Sequence, residues 1–147
     1  MQPRAILETA LYARNLAETE AFYSNILGLQ LYAKFSNRHV FYKVGENMFL
    51  LFNPDETQVL GPPVNGSIIA THGAIGPGHV AFRINESEIV AWRSRLQEQG
   101  IAIESEVTWP GGGFSIYFRD PAGNSVELAT PALWGLSETE GQVVSGQ

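Results

Sequence analysis

The sequence predicts an α+β fold built from two βαβββ repeats, whose curved mixed sheets surround a cleft. Three observations predict it. Strand-like alternation opens each half of the chain. A helix-start signal follows each of these runs, with apolar residues at helical spacing after it. Each helix then stops near a glycine and gives way to further alternating runs, in the same order both times.

The first repeat opens with Ile6-Leu7-Glu8-Thr9-Ala10-Leu11-Tyr12 and the second with His79-Val80-Ala81-Phe82-Arg83-Ile84. Asn15 with Glu18, and Asn85 with Glu88, have the spacing of a capping box, in which side chains satisfy free N–H groups at a helix start. Phe22 and Ile26 mark the apolar stripe of the first helix, Trp92 and Leu96 that of the second. Gly28 and Gly100 stand where a left-handed C-terminal cap is expected. Strands are predicted next at Leu29–Leu31, Val40–Val44 and Met48–Phe52, and at Ile101–Ile103, Phe114–Phe118 and Ser125–Ala129. Asp120-Pro121-Ala122-Gly123 places Pro and Gly where a type I turn prefers them. The repeats are expected over residues 5–54 and 78–131, forming one domain over 1–131. The Gly- and Pro-rich stretch Asp55–Gly78 reads as a linker over the cleft. In the tail, 132–147, Trp134 is expected to dock, with a polar and partly disordered stretch beyond it.

Composition narrows the function. The chain of 147 residues is 44% hydrophobic, enough for one core without staples. The absence of cysteine excludes a disulfide framework, a thiolate metal site and a thiol nucleophile. A net charge of −6 without any basic cluster argues against nucleic acid and anionic membranes as partners. No apolar run spans a bilayer, and Met1-Gln2-Pro3-Arg4 leads straight into the first strand, so a cytoplasmic protein is expected.

Alternation assigns the faces. Val80, Phe82 and Ile84 should lie under the second helix, with Val126 and Leu128, and Ile116 and Phe118, beside them. The open faces then collect Glu8, Tyr12, His79, Arg83, Tyr117, Arg119 and Glu127, with Ala10, Ala81 and Ala129 leaving space between them. Polar residues on a solvated sheet face need no function, and each Arg has a plain reading as a surface partner of an acid. His39 and His72 read as edge or loop residues.

Taken with Ala21-Phe22-Tyr23, Leu27-Gly28-Leu29, Gly78-His79-Val80-Ala81-Phe82 and Tyr117-Phe118-Arg119-Asp120-Pro121-Ala122-Gly123-Asn124-Ser125-Val126-Glu127-Leu128, the pattern resembles the vicinal oxygen chelate superfamily, the glyoxalase, bleomycin-resistance and dioxygenase fold. The resemblance implies a cup that chelates one divalent metal through the first and last strands of each repeat. Carried over residue by residue, it makes Glu8, His79 and Glu127 the metal ligands. The fourth position falls on Leu50, which cannot bind an ion. Two carboxylates and an imidazole suit Zn, Ni, Co, Mn or Fe, and three ligands leave room for substrate. Without an ion the two carboxylates would repel, or Glu8 would sit in solvent and His79 would simply bond Glu127.

The function so implied is a glyoxalase-type lyase, isomerase or transferase acting on a small substrate with neighbouring oxygens. Glu127 or Glu8 would move a proton and Tyr117 or Tyr12 would donate to an oxyanion. Arg83 and Arg119 would hold an anionic group, and Tyr12, Leu50, Phe41 and Trp109 would line the substrate site. Leu50 argues against glyoxalase I itself, and Glu8, where His is usual, against the fosfomycin-type thiol transferases. An extradiol-type dioxygenase is a third possibility, which Glu8 and the short chain also oppose. The competing class is a metal-free drug-binding protein of bleomycin-resistance type, to which the acidic charge and the aromatics Phe41, Trp109 and Trp134 are suited. Trp109 before Pro110-Gly111-Gly112-Gly113 reads more simply as a packed residue in a hairpin loop. A homodimer is expected, with Glu8 facing His79 and Glu127 of its own or of the partner chain.

Overall fold

The computed structural model describes residues 1–138. The chain divides into two compact units, Met1–Val80 with Asp120–Ser125, and Ala81–Arg119 with the chain from Val126 onward. The fold is α+β with two four-stranded sheets, as the repeat predicts.

The first sheet has the order β1 (Glu8–Tyr12), β4 (Asn47–Phe52), β3 (His39–Val44), β2 (Gln30–Phe35). β1 runs parallel to β4 and the other pairs are antiparallel. Helix α1 (Leu16–Ala21) continues into a π-helical turn, Phe22–Ile26. Leu11, Leu16, Phe22, Tyr23, Val40, Tyr42, Phe49 and Leu51 are the buried apolar side chains between this helix and the sheet. The turn ends at Gly28, whose φ of +67° lets Leu29 N–H reach back to Tyr23 O at 3.0 Å. The start of α1 departs from the predicted box. The Asn15 side chain donates to Pro121 O at 3.0 Å instead of capping its own helix.

The second sheet has the order β5 (His79–Arg83), β8 (Ser125–Ala129), β7 (Phe114–Arg119), β6 (Ser105–Thr108). Helix α3 (Ile89–Glu98) follows a short 3-10 turn in which the Glu88 carboxylate accepts from Asn85 N–H at 2.8 Å, as predicted. Leu96, Ile116, Phe118, Val126 and Leu128 are its fully buried apolar side chains. The strand expected at Ile101–Ile103 lies later, at Ser105–Thr108. The cause is the helix end. Gly100 N–H bonds Gln97 O and Ile101 N–H bonds Leu96 O, a Schellman closure that takes up the residues just past the glycine.

The repeat extends to single hydrogen bonds. Met48 N–H donates to Leu7 O and Ala13 N–H to Phe52 O; Ser125 N–H donates to Gly78 O and Ile84 N–H to Ala129 O. Glu8 and His79 therefore hold equivalent positions, as do Leu50 and Glu127. The shared frame sets Ala10 opposite Leu50, and Ala81 opposite Glu127.

The linker carries helix α2 (Pro54–Thr57) and a Val64–Ser67 bridge, and His72 N–H is tied to Thr57 O at 3.0 Å. After β8 a 3-10 turn, Pro131–Trp134, buries Pro131 but leaves Trp134 77% exposed. The expected docking of Trp134 is thus overturned; Leu133 is the residue that meets the chain, against Gly113. Of the polar stretch 137–147 expected to be disordered, residues 139–147 lie outside the described part, and Ser137 is described, its O accepting from Arg83 at 2.8 Å. Among the described residues, no helix is long and apolar enough to cross a membrane.

Candidate active site

Directly opposed residues of paired strands share a face, so the ladder of the first sheet sorts its open side into three rows. The first row is Glu8, Met48, Lys43 and Gln30. The second is Ala10, Leu50, Phe41 and Ala33; the third is Tyr12, Phe52, His39 and Phe35. Glu8 is exposed at the start of its strand. The third row is aromatic throughout and is closed by the linker. Tyr12 Oη lies 2.7 Å from His72 Nδ1, and the His72 ring meets Phe52 edge-on at 4.6 Å. His39 stacks on Phe41 at 4.1 Å with planes 8° apart. Burial first, and Arg38 second, hold the His39 imidazole below its ordinary value, so the ring is neutral at pH 7. A cavity of ≈ 390 Å³ beside Tyr12 is lined by Arg14, Pro54, Ile75, Pro77 and Gly123 among others.

On the second sheet Glu127 is 6% exposed, an unusual place for a carboxylate. It is held there by hydrogen bonds. Ser115 Oγ donates to Glu127 Oε1 at 2.5 Å, and Trp109 Nε1–H donates to Ser115 Oγ at 2.9 Å. Tyr117 also bonds Glu127; burial first and this carboxylate second raise the phenol above its ordinary value, so it stays protonated. His79 Nδ1 lies 3.0 Å from Ser125 O. A carbonyl only accepts, so Nδ1 carries the proton and the lone pair is on Nε2.

Arg119 forms a two-pronged pair with Glu104, 2.7 and 2.9 Å, on the exposed surface. Arg83 is exposed and donates to the tail. Arg119 thus has the acidic surface partner that the plain reading expected, whereas the bond from Arg83 goes to a backbone carbonyl. Two residues outside the predicted site are prominent in the structure. Ser115 reads in sequence as one small polar residue of a strand, set by alternation on the face of Tyr117 and Arg119 with nothing to mark a role. His72 sits in the irregular linker, where periodicity carries no signal at all.

The sequence is matched by the model of the Glyoxalase/Bleomycin resistance protein/Dioxygenase superfamily over residues 5–128. The chain belongs to this superfamily. Within the glyoxalase superfamily it is similar to a crystal structure of a lactoylglutathione lyase from Agrobacterium tumefaciens, 42% identical, with a TM-score of 0.85, covering 92% of this chain and 100% of that one. It is also similar to the glutathione transferase FosA of Serratia marcescens, 26% identical over 123 residues, 84% of this chain and 78% of that protein. A glyoxalase/bleomycin resistance protein/dioxygenase from Nocardioides shares the fold at 20% identity, with a TM-score of 0.67 over 95% of this chain and 91% of that one.

The glyoxalase superfamily makes a divalent ion the natural question for Glu8, His79 and Glu127. Among the described residues, no three His, Cys, Asp or Glu side chains gather into a metal-holding group. The individual donors nevertheless fit an ion. Glu127 is oriented by Ser115 and Tyr117, and His79 has its tautomer fixed by a backbone carbonyl, which is how metal ligands are commonly braced.

Proposed function

We propose that the chain is a glyoxalase-type metalloenzyme that works as a homodimer, with Glu8 of one protomer meeting His79 and Glu127 of the other. The braced, buried Glu127 is the observation that carries this. A carboxylate is costly to bury without donors or a cation, and Ser115 and Tyr117 hold Glu127 in one orientation, as the ligand of an ion is held. Glu8 and His79 occupy equivalent positions of the two repeats, as a paired cup requires. The resemblance to a lactoylglutathione lyase supports lyase or isomerase chemistry on a small substrate with two neighbouring oxygens.

A divalent ion held by these residues would act as a Lewis acid on the paired oxygens. The protein's own groups then divide the work. Glu8 is exposed at the start of its strand, so it is the carboxylate that moves to take a proton. Glu127 is pinned and stays in place. Tyr117, kept protonated, would turn its single O–H from Glu127 to the developing oxyanion.

Metal analysis of the purified protein tests this. About one ion per protomer is expected, and His79→Ala should abolish its uptake. A protein that takes up no Zn, Ni, Co, Mn or Fe, and binds small aromatic drugs equally well with His79→Ala, would be a sequestering protein instead.

A further inference from the structure

We infer that the open face of the first sheet is a ring-binding shelf, so that the ligand carries a flat aromatic group beside its paired oxygens; this rests on the reading of Glu8 as a metal ligand. The shelf begins in the row next to Glu8. There Ala10 and Ala33 flank Leu50 and Phe41, giving a low apolar strip. The third row forms its wall. Phe41 meets Phe52 edge-on at 5.4 Å, His39 lies flat on Phe41, and His72 closes the end against Phe52.

Flat rings are what such a surface recognises. Offset stacking and edge contacts are both on offer, and aromatic faces lose little entropy when they are already packed against one another. Phe41 and His39 are half-buried, so each keeps surface for a ligand. The Tyr12–His72 pair adds one polar contact at the rim, suited to a hydroxyl or carbonyl on the ring. Leu50 fits the same picture. Where Glu127 stands in the second repeat, the first has an aliphatic side chain continuous with the strip.

Two hydroxamates separate the ring from the chelating group. Benzohydroxamate and acetohydroxamate present the same paired oxygens and differ in the ring alone. Benzohydroxamate is expected to bind the metal-loaded dimer at least about tenfold more tightly, the effect of burying one aromatic face. Phe41→Ala should erase that preference while metal content stays the same, and Phe41→Leu should keep part of it. Equal affinity of the two probes, or a preference that survives Phe41→Ala, overturns the shelf. Should the wild type take up no metal, the metal reading fails by itself and the shelf is judged separately. The imidazole proton signals of His39 and His72 are then followed as 2-naphthoate or acetate is added to the metal-free protein. Ring-induced shifts with naphthoate alone, absent in Phe41→Ala, support it. Unmoved signals, as when a second copy of the chain covers the face, refute it.

Discussion

Ser115 is fully buried and its hydroxyl joins Trp109 to Glu127. Removing it leaves a buried carboxylate short of a donor. Ser115→Ala should therefore cost about 1–3 kcal/mol in stability and weaken metal binding about tenfold or more. Denaturant titration and calorimetric titration with Zn or Ni read the two effects separately. His39 gives a pH dependence. Its folded-state value lies below the 6.5 of an unperturbed imidazole, because burial and Arg38 disfavour the cation. The unfolded chain thus binds more protons as pH falls through 6.5, and stability drops there, with the full contribution present above that pH. Melting curves between pH 7.5 and about 5.5 should show a decline that His39→Gln makes shallower.

At the scale of elements, the turn Asp120–Asn124 is held by several buried hydrogen bonds. Asp120 is buried and accepts from Ala122 N–H and Asn124 N–H at 2.9 Å each, from Asn124 Nδ2, and from Tyr23 Oη at 2.8 Å. Asn124 passes the grip on, accepting from Gly78 N–H and donating to Tyr12 O. Asp120→Ala should cost about 3 kcal/mol or more, since it strands several buried donors, whereas Tyr23→Phe should cost about 1.5–3 kcal/mol. Chemical denaturation of both variants checks the order. This element also shows what sequence can convey. Asp-Pro-x-Gly-Asn announces its turn because each residue type has a local job. The strand at Ser105–Thr108 does not, because the apolar alternation of Ile101–Ile103 falls just past the helix end, where the Schellman closure holds Ile101 N–H on Leu96 O. Likewise the equivalence of Glu8 with His79, and of Leu50 with Glu127, was legible from the repeat. The role of Ser115 was not, because it depends on which side chain stands across β7 and β8.

For the molecule as a whole, the proposed exchange of ligands between protomers has a clear genetic signature. Glu8→Ala and His79→Ala each remove one donor from every site. In a mixed dimer of the two variants, one site lacks both donors and the other has both. Random mixing should then restore about a quarter of the wild-type metal sites; a site contained in one chain would show no restoration on mixing. The two repeats differ at one further point. Leu50, 6% exposed, holds the place that Glu127 holds in its own half. Leu50→Glu would make the pair chemically symmetric and bury a charge with nothing beside it, at about 3–5 kcal/mol in a chelator. Added Zn should return much of that loss. The variant would be a protein whose melting temperature reports the free concentration of the ion, turning an inherited asymmetry into a gauge.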